Sequence, residues 1–134
     1  MKTVLSLFGL AALSFLSSCT SCPFGCETTP KGKVEHVVLV WLKKPGDAAE
    51  RAKVISSAKM FQAEIQEIQH LSVGTALPSD RPVVDDSFDV GIVMRFANPA
   101  DLATYEKHPV HVKAVKEVLQ PIAKKLLVYD VVAQ

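Results

Sequence analysis

The sequence predicts an α+β sandwich in the order β-α-β-β-α-α-β, one antiparallel sheet with its helices on one face. Three observations predict it. "KVEHVVLVWLK" (33–43) and "FDVGIVMRF" (88–96) are β-branched and apolar over the length of a strand. Between them, Val54, Ala58, Phe61, Ile65 and Ile68 recur at spacings of four and three, which makes one apolar helical stripe. The connections between paired strands are long enough to cross over a sheet, and the whole order describes a ferredoxin-like arrangement.

The first strand carries Val34, His36, Val38 and Val40 on one face and Val37, Leu39 and Trp41 on the other. A strand apolar on both sides must be covered on both sides. Pro45-Gly46 ends it, and Asp47 with Glu50 three residues on is a helix start resembling a capping box. The long helix leaves Arg51, Lys53, Lys59 and Glu64 largely to solvent, and His70 closes it. "LSVGTAL" (71–77) reads as the second strand, and "PSDRPVVDDS" (78–87) as a polar loop. After the third strand, Asn98 is an N-cap with Pro99 at the first helical position, and that helix stops before Pro109. A further helix spans 110–125 on Val115, Leu119, Ile122 and Leu126, with Pro121 kinking it. "LLVYDVV" (126–132) is the last strand. Covering the sheet's second face with a second copy makes a homodimer the simplest assembly.

At 134 residues, 49% hydrophobic and with a formal net charge of +1, the chain suits one globular domain and gives no field that points to a nucleic-acid partner. The Lys pairs at 43–44 and 124–125 read as solvated surface. The N-terminal stretch stands apart. "VLSLFGLAALSFL" (4–16), behind Lys2, is shorter than the about 20 apolar residues of a spanning helix but suits a signal-peptide core. "LSSC" (16–19) resembles a bacterial lipobox, which implies cleavage before Cys19 and a lipid on its sulfur. Thr20 in place of Asp favours the periplasmic face of an outer membrane by the same resemblance. The expected organisation is therefore a lipoprotein signal peptide at 1–18, lipidated Cys19 with a tether at 19–32, and a domain at 33–132. All three cysteines lie in the tether. With Cys19 lipidated, Cys22 and Cys26 remain as a candidate disulfide in an oxidising compartment, and a metal site in "CTSCPFGC" is the competing reading.

"YEKHPVH" (105–111) is the stretch richest in chemistry. Pro109 separates two helices, so His108 ends one and His111 opens the next. An H-x-x-H metal pair here lacks helical geometry and an adjacent third ligand. No phosphate loop, nucleophile elbow or domain cysteine offers other catalysis, and no cofactor is expected.

"HVVLVWLK", "FDVGIVMRF", "LATYEKHPVHVKAV" and "LLVYDVV" together resemble the stress-responsive α/β-barrel (Dabb) family over about residues 33–132. The resemblance implies a dimeric α+β barrel of two ferredoxin-like units packed sheet to sheet. Among its enzymatic members is a plant cyclase that closes a linear poly-β-ketone by an aldol reaction. The positions that match its pocket motif are His36, Tyr105 and His111. In such chemistry His111 would be the base, Tyr105 the donor to the developing oxyanion, and His36 the group that orients a carbonyl or His111 itself. Packing alone is the other role open to each: His36 in the core or dimer interface, Tyr105 on its helix stripe, His111 at a helix corner. Cyclases of this kind receive substrates in the cytoplasm, whereas a lipoprotein domain lies outside it. The expectation is therefore a lipid-anchored homodimer binding a small hydrophobic or aromatic ligand at His36, Tyr105 and His111. The alternatives are a cyclase-, lyase- or monooxygenase-like enzyme using the same residues, and a purely structural dimer.

Overall fold

A computed structural model describes residues 30–134. The expected signal peptide at 1–18, the expected lipidation at Cys19 and the candidate Cys22–Cys26 disulfide lie outside the described residues. The elements run β1 (Val34–Leu42), α1 (Ala48–Glu64), β2 (Ile68–Gly74), β3 (Val90–Phe96), α2 (Pro99–Lys107), α3 (Pro109–Ala114), a π-helical turn (Val115–Leu119), α4 (Gln120–Ile122) and β4 (Ala123–Val132). All pairings are antiparallel, in the spatial order β2-β3-β1-β4. This is the ferredoxin-like α+β fold the sequence predicts.

Strict alternation along β1 sorts its side chains. Val34, His36, Val38, Val40 and Leu42 are buried, and the residues between them are half-buried on the other face. β3 repeats the pattern with Val90, Ile92, Met94 and Phe96. Val54, Ala58 and Phe61 of α1 and Leu102 and Tyr105 of α2 close over that face and complete the core. The helix starts are as the sequence predicts: Asp47 Oδ1 accepts from Glu50 N–H at 2.9 Å, and Asn98 Oδ1 accepts from Asp101 N–H at 3.0 Å, with Pro99 following.

Besides β2 ending at Gly74 rather than Leu77, two helix–strand junctions move, for the same physical reason. α1 ends at Glu64 rather than continuing to His70, and β2 begins at Ile68 rather than Leu71. A register shift between Ile68 and His70 inserts one residue, so Ile68 and Leu71, three apart, both face the helices opposite Phe96 and Met94. His70 is therefore an exposed strand residue, not a helix end. At the other edge the helical segment ends at Ile122 rather than Lys125. A shift beside Trp41/Leu42 brings Ala123 opposite Leu42 and Leu126 opposite Val40, so Leu126 belongs to β4. Where the sequence predicts a kink at Pro121, the helix widens just before it. Gln120 N–H donates to Val115 O, five residues back, and the prolyl nitrogen has no hydrogen to donate.

The ends of the fold are fastened. Gly32, at φ 84°, makes the turn that lets its N–H donate to Ala133 O at 2.9 Å, so residues 32 and 33 bind beside the end of β4. Asp89 is 3% exposed and accepts from Leu42 N–H (2.8 Å), Gly46 N–H (2.7 Å) and Arg51 (3.0 and 3.2 Å). Burial alone would raise this carboxyl, but those donors outweigh it and hold it below the usual carboxylate range.

Candidate functional site

Between the helix-facing side of the sheet and the helices lies a cavity of about 350 Å³. β1 contributes His36 and Val38, and β3 contributes Ile92 and Met94. Phe61 comes from α1, Tyr105 from α2, His111 from α3, and Val115 and Leu119 from the π turn. Leu126 and Val128 of β4 complete the wall; at 40% and 47% exposed they form its rim, whereas His36 and Tyr105 are 6% and 2% exposed. His36 and Tyr105 therefore sit at the closed end of an apolar pocket, half-buried His111 and exposed Glu106 lie nearer its margin, and Leu126 and Val128 open it along the edge strand.

The fold itself gathers the three residues that the sequence singles out. His36 faces the helices because it shares strand parity with Val34 and Val38. Tyr105 falls on the buried face of α2 with Leu102, three residues earlier. His111 follows Pro109 into the first turn of α3 and stacks on Tyr105, their ring centroids 4.3 Å apart at 39°. Tyr105 also meets His36 at 5.7 Å and Phe61 at 6.0 Å, both edge-on.

Hydrogen bonds fix the tautomer of one histidine and orient the other. His111 Nδ1 lies 3.0 Å from Glu106 O, and a carbonyl only accepts, so Nδ1 carries the hydrogen. When the ring is neutral, Nε2 keeps the lone pair. Burial lowers the pKa of His111, the Glu106 carbonyl partly offsets this, and the charges of His36 and His108 lower it further. The ring is therefore a neutral base near neutral pH. His36 Nδ1 donates to Asp130 Oδ1 at 2.6 Å, leaving Nε2 as its second site. Burial, with a smaller contribution from the Glu106 charge, pushes the Tyr105 phenol far above its ordinary value, so it acts as a donor and not as a base.

His108 takes no part in this cavity. Its Nδ1 accepts from Val110 N–H at 3.3 Å, capping α3, so the two histidines of "HPVH" serve different elements. Sequence reasoning passed over Asp130. Its one signal was a lone acid in the otherwise apolar "LLVYDVV", and the strand register brings it directly opposite His36. The π turn that supplies Val115 and Leu119 had no signal beyond the neighbouring Pro121.

Comparison with known proteins agrees with this fold. The family model described as "Stress responsive A/B Barrel Domain" matches residues 34–133. A stress-response A/B barrel domain-containing protein from Arabidopsis thaliana is 29% identical over 108 residues, covering 80% of this chain. The chain spans 40% of that relative's length. A Dabb family protein with a ferredoxin-like fold from Mesorhizobium loti is 28% identical, with a TM-score of 0.63 over 78% of this chain and 99% of the other. A dimeric protein of unknown function and ferredoxin-like fold from Bacteroides fragilis is 24% identical, with a TM-score of 0.60 over 76% and 97%. A hydroxynitrile lyase from Passiflora edulis shares the fold at a TM-score of 0.68 and 21% identity, covering 78% and 96%.

Proposed function

The chain belongs to the stress-responsive A/B barrel domain family, and from that premise we propose that it is a lipid-anchored homodimer of the bacterial envelope that binds a small hydrophobic or aromatic ligand. One observation carries the reading: His36, Tyr105 and His111 converge on an apolar cavity of about 350 Å³, within the range of small-molecule sites. Phe61, Ile92 and Leu119 would hold the apolar body of the ligand, and the three polar side chains would fix its orientation.

Self-association is supported by the sheet's other face. Val37, Leu39, Trp41, Val93 and Leu127 are only half-buried there, and Tyr129 and Val131 are 51% and 55% exposed. An apolar face of this extent on a sheet calls for a partner layer, and the Bacteroides fragilis relative is described as dimeric. The anchor is supported by "LSSC" at 16–19.

A second reading has its own observation. The bond from His111 Nδ1 to Glu106 O presets the tautomer that a general base needs. His111 Nε2 would remove a proton next to a substrate carbonyl, Tyr105 would donate to the oxyanion that forms, and Asp130 would hold His36 in place behind them. Cyclase- or lyase-like acid–base chemistry is the activity this suits.

Native mass spectrometry of the mature protein, extracted from membranes in mild detergent, tests the main reading. The expected species is a dimer with a lipid mass on Cys19 and a non-covalent small-molecule adduct. Monomer alone at micromolar concentration would overturn the dimer, an unmodified Cys19 the anchor, and a ligand-free protein that also takes up no added aromatic compound the binding function.

A further inference from the structure

The cavity's hydrogen-bonding inventory is lopsided. His111 Nδ1 is committed to Glu106 O, and His36 Nδ1 to Asp130 Oδ1. His111, neutral near neutral pH, therefore offers the cavity a lone pair on Nε2. The one hydroxyl among the lining side chains is that of Tyr105. A ligand that only accepts hydrogen bonds can satisfy the tyrosine but leaves His111 Nε2 unmatched, and an acceptor taken from water without a partner is unfavourable. The complementary ligand donates as well as accepts.

Charge narrows the class. Among the described residues no lysine or arginine lines the cavity; its one formal charge is Glu106, an exposed carboxylate at the margin. A carboxylate or phosphate ligand would give up its hydration with no cation to meet it. Shape narrows it again. Phe61, Tyr105 and His111 form a continuous aromatic wall, with neighbouring rings 4.3–6.0 Å apart at their centroids. A volume of 350 Å³ is that of about a dozen liquid waters, which suits a molecule of roughly that many heavy atoms.

We propose that this cavity takes a neutral aromatic hydroxyl compound, a phenol or naphthol, with its O–H donating to His111 Nε2 and its oxygen accepting from Tyr105. The arrangement deepens the ligand-binding reading above and rests on it. The hydroxyl enters first, because Tyr105 is buried and the rim at Leu126 and Val128 is apolar and exposed. The lowered pKa of His111 keeps its lone pair available at neutral pH.

The test is a set of three fluorescence titrations of the whole protein near neutral pH, with 2-naphthol, 2-methoxynaphthalene and 2-naphthoate. The methyl ether keeps the ring and the accepting oxygen but has no proton to donate, and the naphthoate adds a charge. Naphthol is expected to bind about tenfold tighter than either, the equivalent of one retained hydrogen bond. In His111→Leu, which removes the acceptor, the preference for naphthol over its ether is expected to shrink with the ring still bound, whereas Tyr105→Phe should weaken both by a similar factor because both keep the oxygen that accepts from Tyr105. Equal affinity for naphthol and its ether, or tighter binding of naphthoate, would overturn the assignment of class while leaving the cavity a ligand site. If none of the three binds, and no methyl resonance of Val38 or Ile92 moves in parallel NMR titrations, the binding reading falls with it.

Discussion

Replacing Asp130 with asparagine keeps the side chain's shape and removes its charge. Its Oδ1 lies 2.6 Å from Nδ1 of His36, a ring only 6% exposed, and the two residues face each other across the β1–β4 pair. A hydrogen bond involving a charged group is worth about 1.5–3 kcal/mol. The Asp130 side chain is 45% exposed, so water screens its charge and brings the value to the bottom of that range or just below it, about 1–1.5 kcal/mol. For a domain of this size, each kcal/mol lowers the thermal midpoint by about 4–8 °C. The assay is thermal and urea unfolding of wild type and Asp130→Asn at one protomer concentration, because the proposed dimer would make the midpoint concentration-dependent. Nitrogen-15 spectra of the His36 ring accompany it. The variant is expected to unfold earlier and to lose the fixed Nδ1–H. An unchanged midpoint with the wild-type ring spectrum would refute the reasoning that Asp130 holds His36.

Other perturbations probe neighbouring parts of the site and its scaffold. Phe61→Ala removes a ring 2% exposed that packs on both Tyr105 and His111, and should cost about 3–5 kcal/mol in denaturant titrations. Asp89→Ala strips the acceptor from two backbone N–H groups and Arg51 where β1 turns into α1. A loss of about 3 kcal/mol is expected, and hydrogen exchange at Leu42 and Gly46 should quicken. The pKa of His111 is lowered on folding, so the unfolded chain binds its proton more readily. Its contribution to stability is complete above the ordinary histidine value and falls away as the pH drops through and below it. Unfolding midpoints measured from neutral to mildly acidic pH should show a slope that His111→Gln reduces. Plugging the rim with Val128→Trp should block ligand uptake without loss of stability, because Val128 is 47% exposed; calorimetric binding of an aromatic probe reads the first and thermal unfolding the second.

Much of this fold was legible because local patterns and tertiary needs agree. β1 alternates without interruption, Asp47 and Asn98 stand where helix starts need side-chain acceptors, and Pro109 separates the roles of His108 and His111. The two misplaced helix–strand junctions share one cause. At Ile68–Leu71 and at Ala123–Leu126, a β-bulge turns the strand's period of two into a spacing of three on the buried face. That spacing is indistinguishable from helical periodicity in a short window. In the site, His36, Tyr105 and His111 were legible as residue types in a suggestive order. Asp130 was not, because its role depends on the register of two strands far apart in sequence. The apolar walls from Phe61, Ile92 and Leu119 read only as core. The gap between them is lined in part by Val115 and Leu119 of the widened turn, which has no strong sequence signature.

The central claim is that the space between sheet and helices is a ligand site with its polar end at His36, Tyr105 and His111. Intermolecular NOEs between bound 2-naphthol and methyl-labelled protein test it most directly. The account expects the ring protons to contact the methyls of Val38, Ile92, Leu119 and Val128, with the hydroxyl-bearing edge nearest Tyr105 and His111. NOEs confined to the outer groove between α1 and the π turn, at Ala52, Val118 and Ile122, would contradict it.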